Sequence, residues 1–321
     1  MTASYDKQAA IVLLPAPAPG RITSPSVMRW LAKGRIDRVA IAQHDLARVL
    51  AETGRPVPAG GLAALRWWGQ RRVRPEGWLT AADPVYLEPQ LDKLRLHTLP
   101  TLPGTEFEPL MAHLNDSLCQ DSRRRFDAVD GFGYLSGGDD FPTATLPPDA
   151  LEHQVPTEFF PIGEGKARHR QWLSEIEMAL HEQQFNLDRQ AAGKPPVNSL
   201  WLWGGGDAPE QTESGLPALY SDNPLLGGYW RSTSNEPKSW PGNFADCIAS
   251  SEGTFVAMPQ FSAGGIELDE LLAELQSHVS SNAIARVVVY FGDMLRIEFK
   301  RRDRLRFWQT KNELLRQGFG L

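Results

Sequence analysis

Cysteine is nearly absent from this chain. It has two, Cys119 and Cys247, far apart in the sequence. That count excludes a disulfide framework and a four-cysteine zinc site. Long apolar runs are missing as well. The run nearest the N-terminus, Ala9 to Leu14, is broken by Pro15, Pro17 and Pro19, and no basic segment precedes it. It is too short to span a bilayer and does not have the form of a signal peptide, so a cytoplasmic protein without a membrane partner is expected. Positive charge is in deficit, with a formal net charge of -6. A field of that sign repels nucleic acid, and no nucleic-acid partner is expected.

Metal-site spacing is also lacking. The seven histidines, His44, His97, His113, His153, His169, His181 and His278, include no pair at the four-residue spacing of a helical metal site. No Asp/His cluster suggests a two-metal centre. Each histidine is expected to serve packing or the surface. Neither a metal nor another cofactor is expected. Ser136 lies in Tyr134-Leu-Ser-Gly-Gly138 and lacks the G-x-S-x-G context of a hydrolase nucleophile. No internal repeat or low-complexity segment is present.

What is there supports a sizeable α/β protein. The 321 residues suffice for one large domain or two lobes. Ten tryptophans suit cores and pocket walls alike, being large with one polar edge to satisfy. Ala10 to Leu14 reads as a buried strand. Ser24-Pro25 opens a helix, with serine as N-cap and proline at the first helical position, and Gly34 stops it. A second helix is expected from Asp45 to Glu52, ending at Gly54. Trp78 to Leu99 reads as two strands turning at Pro89–Asp92, and a helix follows at Phe107 to Cys119. The Gly-, Asp- and Pro-dense stretch from Gly131 to Pro148 reads as loop or lobe boundary. Trp172, Ile176 and Leu180 mark a helix over Ala167 to Gln184. Ser199-Leu-Trp-Leu-Trp203 reads as a strand with tryptophans on one face and leucines on the other, so both faces should be covered. Residues 207 to 245 look loop-rich. Thr254 to Met258 is a short strand, Leu268 to Val279 an amphipathic helix, and Arg286–Phe291 with Leu295–Phe299 a hairpin. A last helix starts at Asp303.

Three features invite a chemical reading. Gly204, Gly205 and Gly206 follow a strand and can aim backbone N–H groups at an anion, but the P-loop Lys-Ser/Thr and the dinucleotide spacing are missing. A tight turn is the first reading and a ligand-contacting loop the alternative. The runs Arg123-Arg-Arg125 and Lys300 to Arg306, the latter followed by Phe307-Trp308, read as solvated faces, with an acidic protein partner at 300–308 as the alternative. Asn186, Arg189 and Asn198 surround the turn before the 199–203 strand. They either pin a long loop or offer an amide–guanidinium set to a phosphate or carboxylate, with Trp203 as a wall.

One stretch goes further. His181-Glu-Gln-Gln-Phe-Asn186-Leu-Asp-Arg189, followed by Gly193-Lys-Pro-Pro-Val-Asn198-Ser-Leu-Trp201-Leu-Trp203-Gly-Gly-Gly206-Asp-Ala-Pro209, resembles part of the archaeal-type cofactor-independent phosphoglycerate mutases. With Ala82-Asp-Pro-Val85, Val289-Tyr-Phe-Gly-Asp293 and Leu305-Arg-Phe-Trp308, it also resembles the bacterial RpfE-type regulatory proteins. The resemblance implies a degenerate alkaline-phosphatase-like α/β sheet with flanking helices and a smaller inserted α+β lobe. The expected division is 1–60 with 250–321 as the core lobe and 61–249 as the insertion. The mutases need an Asp-Gly metal strand, a serine nucleophile between two metals and C-terminal Asp/His ligands. Here the first strand ends Leu14-Pro15-Ala16, Tyr290-Phe-Gly-Asp293 has no histidine nearby, and Gln183 replaces the histidine of the mutase turn. Metal-assisted phosphoryl transfer without these groups has no means of lowering its barrier. A non-catalytic regulatory or metabolite-binding protein is therefore expected, with a phosphoglycerate mutase or related phosphotransferase as the alternative. The expected ligand contacts are Asn186, Arg189, Asn198, Trp203, Gly204 and Gly205, and the expected ligand is a small phosphorylated or carboxylated metabolite.

Overall fold

A computed structural model describes residues 8–17, 21–39, 43–91, 93–120, 123–137, 141–181, 183–261, 267–306 and 313–319. In chain order the elements are β1 (Ala9–Leu14), α1 (Pro25–Lys33), β2 (Arg35–Arg38), α2 (Asp45–Thr53), α3 (Leu62–Arg71), β3 (Leu79–Pro89), β4 (Leu94–Thr98), α4 (Gly104–Leu118), β5 (Arg125–Val129) and β6 (Phe132–Ser136). Two 3₁₀ turns follow, at Pro148–Leu151 and Pro156–Phe159. Then come α5 (Lys166–Leu180), α6 (Gln184–Ala191), β7 (Ser199–Gly206), β8 (Ala218–Tyr220), α7 (Pro224–Ser232), α8 (Phe244–Ala249), β9 (Thr254–Ala257), α9 (Leu268–Ser280), β10 (Arg286–Phe291), β11 (Leu295–Lys300) and α10 (Glu313–Phe319). The fold is mixed α/β. No helix among the described residues is long and apolar enough to cross a membrane.

The chain separates into two compact units, Met1–Arg55 with Thr212–Leu321, and Pro56–Gln211. The expected second boundary near residue 249 therefore falls at Gln211 instead. The reason lies in 212–249, which supplies β8 as a parallel neighbour of β9 and α8 as part of the first unit's core.

The first unit holds a six-stranded sheet in the order β2-β11-β10-β1-β9-β8. β1 pairs in parallel with both β10 and β9. Its residues Ala10 to Leu14 are buried, as a continuous apolar run in the middle of a parallel sheet must be. β11 runs antiparallel to β10 and to β2, so β2 points the same way as β1. Helix α1 starts as its sequence dictates: Ser24 accepts the Val27 N–H and Pro25 occupies the first turn. Trp30 stacks on Phe299, ring centroids 4.3 Å apart, which fastens α1 to β11. On the other face Glu52 near the end of α2 accepts hydrogen bonds from Arg286, Tyr290 and Arg296.

The second unit is built on an antiparallel sheet, β4-β3-β6-β5, with β7 also paired to β3. β7 is buried from Ser199 to Trp203, with the leucines packed on α5 residues such as Ile176. The alternation expected for that strand holds, and both of its faces are covered. Between Gly131 and Pro148 the expected loop is in fact partly strand. Asp130 (φ 48°) and Gly131 (φ 83°) form a two-residue turn, and Phe132 to Ser136 pairs with β5 and β3. Adjacent positive φ angles at Asp-Gly twist a hairpin in the favoured sense. The helix expected over 167–184 is α5, Lys166–Leu180, and a further helix, α6, starts at Gln184.

Candidate functional site

The residues singled out around 183–206 all find internal partners. Asn186 donates to the carbonyls of Leu180 (3.1 Å) and Val197 (2.9 Å) and accepts from the Val197 N–H (2.8 Å). Asn198 clamps one residue of β3, accepting from Leu87 N (2.7 Å) and donating to Leu87 O (2.9 Å). Arg189 Nε donates to Pro195 O (3.0 Å), and its Nη1 lies 2.6 Å from Glu106. The three side chains thus face three different partners, and each joins two pieces of backbone or two helices. Such bonds are those a loop fastening makes.

Trp203 belongs to a second network. Its indole N–H donates to Asp83 Oδ2 at 2.7 Å. Asp83 also receives both terminal nitrogens of Arg66, at 2.6 and 3.0 Å. Arg66 Nε donates to the Tyr134 hydroxyl and Nη2 to the Gly133 carbonyl. The guanidinium carbon sits 4.6, 4.7 and 5.1 Å from the ring centroids of Phe132, Tyr134 and Trp203. Burial alone would weaken the charge on Arg66, but Asp83 and Tyr134 hold its pKa above the ordinary value. The indole that was expected to wall a ligand therefore closes this cage.

The glycine triplet is closed too. Gly204 N donates to Ala144 O (2.7 Å), Gly205 N to Thr143 Oγ1 (2.8 Å), and Gly205 O accepts from Gly61 N (3.1 Å). Gly204 adopts φ +65°, and a β-carbon there would lie 2.9 Å from the Ala63 nitrogen. The glycine is needed so that β7 can pass the start of α3.

The first unit supplies a different site. In an open α/β sheet, ligands collect at the carboxyl ends of the parallel strands. At this edge Gly292 N donates to Leu14 O, and Val39 N, just past β2, donates to Met294 O. Helix α2 follows β2 in the chain, and Arg38, the last residue of β2, pairs with Leu295 beside the end of β10. Its first turn holds three ionisable groups. His44 is the N-cap, its Nδ1 accepting from Ala47 N at 3.2 Å. Burial, then the charge of Arg48, lowers its pKa to about 4, so the ring stays neutral and able to accept. Burial raises the pKa of Asp45 despite the opposing pull of Arg48. Arg48 is 6% exposed, its Nη1 is 2.8 Å from Asp45, and its buried Nε has no partner among the described residues.

A two-metal phosphoryl-transfer centre does not fit the donors at this edge. β1 ends in Leu14-Pro15-Ala16, β9 in Ala257-Met258-Pro259 and β10 in Phe291-Gly292-Asp293. Among the described residues no three carboxylate, imidazole or thiol side chains converge there. No metal-assisted step follows from such a set. What the turn offers is an anion-binding combination, a buried guanidinium donor at a helix N-terminus.

The sequence reading assigned His44 to packing or the surface and did not single out Arg48. The available signal was the His-Asp-x-x-Arg spacing at a helix start, which places all three groups on one turn. At the chain's basic end, Lys300 pairs with Glu298 and Arg306 with Asp303. Phe307 and Trp308 lie outside the described residues. Both cysteines are buried.

No family model matches the chain. It is 36% identical over 64 residues to a probable 2,3-bisphosphoglycerate-independent phosphoglycerate mutase from Geobacter sulfurreducens. That match spans 20% of this chain and 16% of the relative's length. Among solved structures it is similar to the cofactor-independent phosphoglycerate mutase from Thermoplasma acidophilum, at 18% identity and a TM-score of 0.38, covering 92% of this chain and 90% of that one. It is similar also to the PH0037 protein from Pyrococcus horikoshii, at 12% identity and a TM-score of 0.44, covering 92% and 87%. One stretch of this chain is thus similar in sequence to cofactor-independent phosphoglycerate mutases.

Proposed function

We propose that the chain is a non-catalytic, metabolite-binding regulatory protein of the bacterial RpfE type, acting in the cytoplasm on a degenerate alkaline-phosphatase-like scaffold. One observation carries the reading. The first turn of α2, the helix that follows β2, holds the buried guanidinium of Arg48, whose Nε has no partner among the described residues, beside neutral His44. A planar guanidinium with a free N–H matches an oxyanion, so the ligand is a small phosphorylated or carboxylated metabolite. In this reading the 183–206 segment, with Asn186, Arg189 and Asn198, fastens the inserted unit and does not touch the ligand. An acidic protein partner at 300–308 is a further part of the proposal, supported by the exposed Arg301 and Arg302.

The mutase reading is the alternative, favoured by the 64-residue likeness. Thermal unfolding with inorganic phosphate, 3-phosphoglycerate and citrate, each with and without Mn²⁺, separates the two. Ligand binding to the folded state raises the melting temperature by mass action. The expected result is stabilisation by at least one of these anions, independent of Mn²⁺. A Mn²⁺-dependent interconversion of 3- and 2-phosphoglycerate by the same preparation would overturn the non-catalytic reading.

A further inference from the structure

The second unit brings together three side chains that their spacing in the sequence does not connect. His97 lies on β4, and Glu152 and His153 directly follow the 3₁₀ turn at Pro148–Leu151. Each offers a ligand atom, and the three atoms lie within 4.8 Å of one another. Glu152 Oε1 is 3.3 Å from His97 Nδ1 and 3.5 Å from His153 Nδ1. The two separations from Glu152 match the edges of a coordination tetrahedron. With zinc–nitrogen and zinc–oxygen bonds of roughly 2.0–2.2 Å, tetrahedral ligand atoms stand about 3.4 Å apart.

The local backbone holds this arrangement. His153 N donates to Leu96 O at 2.8 Å, and Leu96 N donates to Gln154 O at 3.0 Å, which stitches the 153–154 segment to β4. His153 adopts φ 61°, a left-handed conformation that a residue with a β-carbon takes up only at a cost. The ring so placed stands edge-on to His97, centroids 4.9 Å apart. The outer contacts also suit a metal. His97 Nε2 lies 3.1 Å from Glu88 Oε2, and with the proton on Nε2 the Nδ1 lone pair faces the metal position. Glu152 Oε2 accepts from Thr98 N and Oγ1 at 2.6 and 2.5 Å, so Oε1 is left for another partner. An imidazolium of His97 bridging Glu88 and Glu152 would account for that ring. It gives no reason for His153 to take a strained backbone and face the same oxygen.

We propose that His97, Glu152 and His153 form a binding site for a divalent transition ion, with zinc the best match to two imidazoles and one carboxylate. Three protein ligands leave the fourth position open. His153, with 62% of its side chain exposed, sets that position at the surface. The site uses residues of the second unit only and does not depend on the reading of Arg48.

The test is calorimetric titration of the full chain, stripped with EDTA, with Zn²⁺, and absorption spectroscopy with Co²⁺ as the zinc substitute. One zinc per chain and the visible bands of tetrahedral Co²⁺ are expected. His153→Ala removes an exposed ligand, so its metal-free unfolding curve should match wild type while zinc affinity falls at least a hundredfold. Glu88→Gln should weaken zinc about tenfold to a hundredfold, the range for an outer partner of a ligating histidine. Absence of zinc uptake by wild type at micromolar metal would overturn the proposal. So would zinc binding by His153→Ala at wild-type affinity, since the ion would then be held elsewhere.

Discussion

Each unit buries an arginine against an aspartate, and the two pairs are built to different standards. In the second unit Arg66 and Asp83 meet through two hydrogen bonds, and Tyr134, Gly133 and Trp203 take up remaining capacity. In the first unit Arg48 and Asp45 share one contact across a single helical turn, and Arg48 Nε has no partner among the described residues. A buried donor without a partner costs about 1–3 kcal/mol. Saturation therefore distinguishes a rivet from a site. The aromatic cage of Arg66 has no room left for chemistry, while the first turn of α2 still has a donor to offer.

The largest effect should come from breaking the saturated pair. Asp83→Asn keeps the shape but leaves a guanidinium buried without its counter-charge, and such a change costs about 3–5 kcal/mol. Asp45→Asn, at a pair joined by one contact and whose aspartate already has a raised pKa, should cost less. Urea unfolding of both variants measures the contrast. Equal losses would erase the distinction between the two pairs.

Acid should act on both units. Burial lowers the pKa of His44 and of His169 to about 4, against an unfolded value near 6.5. Between those values the unfolded chain binds protons that the native state refuses, so stability falls as pH drops from 6.5 to 4. Above 6.5 the contribution is fully present. Each histidine can account for about 3 kcal/mol at the limit. Asp45, whose pKa is raised, works in the opposite direction at the acid end and offsets part of the His44 share. His169 sits edge-on to Phe160, 5.3 Å between centroids. His169→Phe should accordingly remove the steeper part of the pH dependence measured by urea midpoints from pH 7 to 4. An unchanged slope would mean that His169 is protonated in the folded chain.

Arg189→Ala comes next in size. It deletes the bonds to Glu106 and Pro195, and hydrogen bonds to charged groups are worth about 1.5–3 kcal/mol. If the segment is a fastening, any stabilisation by an anion should survive this variant. Loss of anion response with unchanged stability would instead restore Arg189 as a ligand contact.

Local chemistry made much of the fold readable. Ser24-Pro25 and Gly34 bound α1, and the leucine–tryptophan alternation marks β7, because caps and strand faces are set within a few residues. The misses have local causes as well. Asp130-Gly131 is a strong hairpin signal that was submerged in a stretch rich in glycine and proline. α3 is apolar around most of its circumference, so no stripe revealed it, and α7 carries Gly227 and Gly228 inside it. The sites were harder. The spacing of His44, Asp45 and Arg48 was visible, but their burial was not. His97 and His153 become neighbours only when the hydrogen bonds between Leu96 and the 153–154 segment form. Contacts made at long range leave no periodic trace in a single sequence.

The smallest change in stability should accompany the most telling change in binding. Arg48 engages Asp45 through one nitrogen only, and an ammonium can replace that contact, so Arg48→Lys should cost under about 1 kcal/mol. What lysine cannot supply is the planar fork and the Nε–H, which has no partner among the described residues. If that donor receives an oxyanion, the anion-induced rise in melting temperature should vanish in Arg48→Lys while the ligand-free melting temperature stays within a few degrees of wild type. The comparison of the two pairs sharpens the test: Arg66→Lys, at a site where both terminal nitrogens and Nε are engaged, should be severely destabilised. A lysine at 48 that lowers stability as much as one at 66 would show the α2 turn to be a second rivet, without a claim to the ligand.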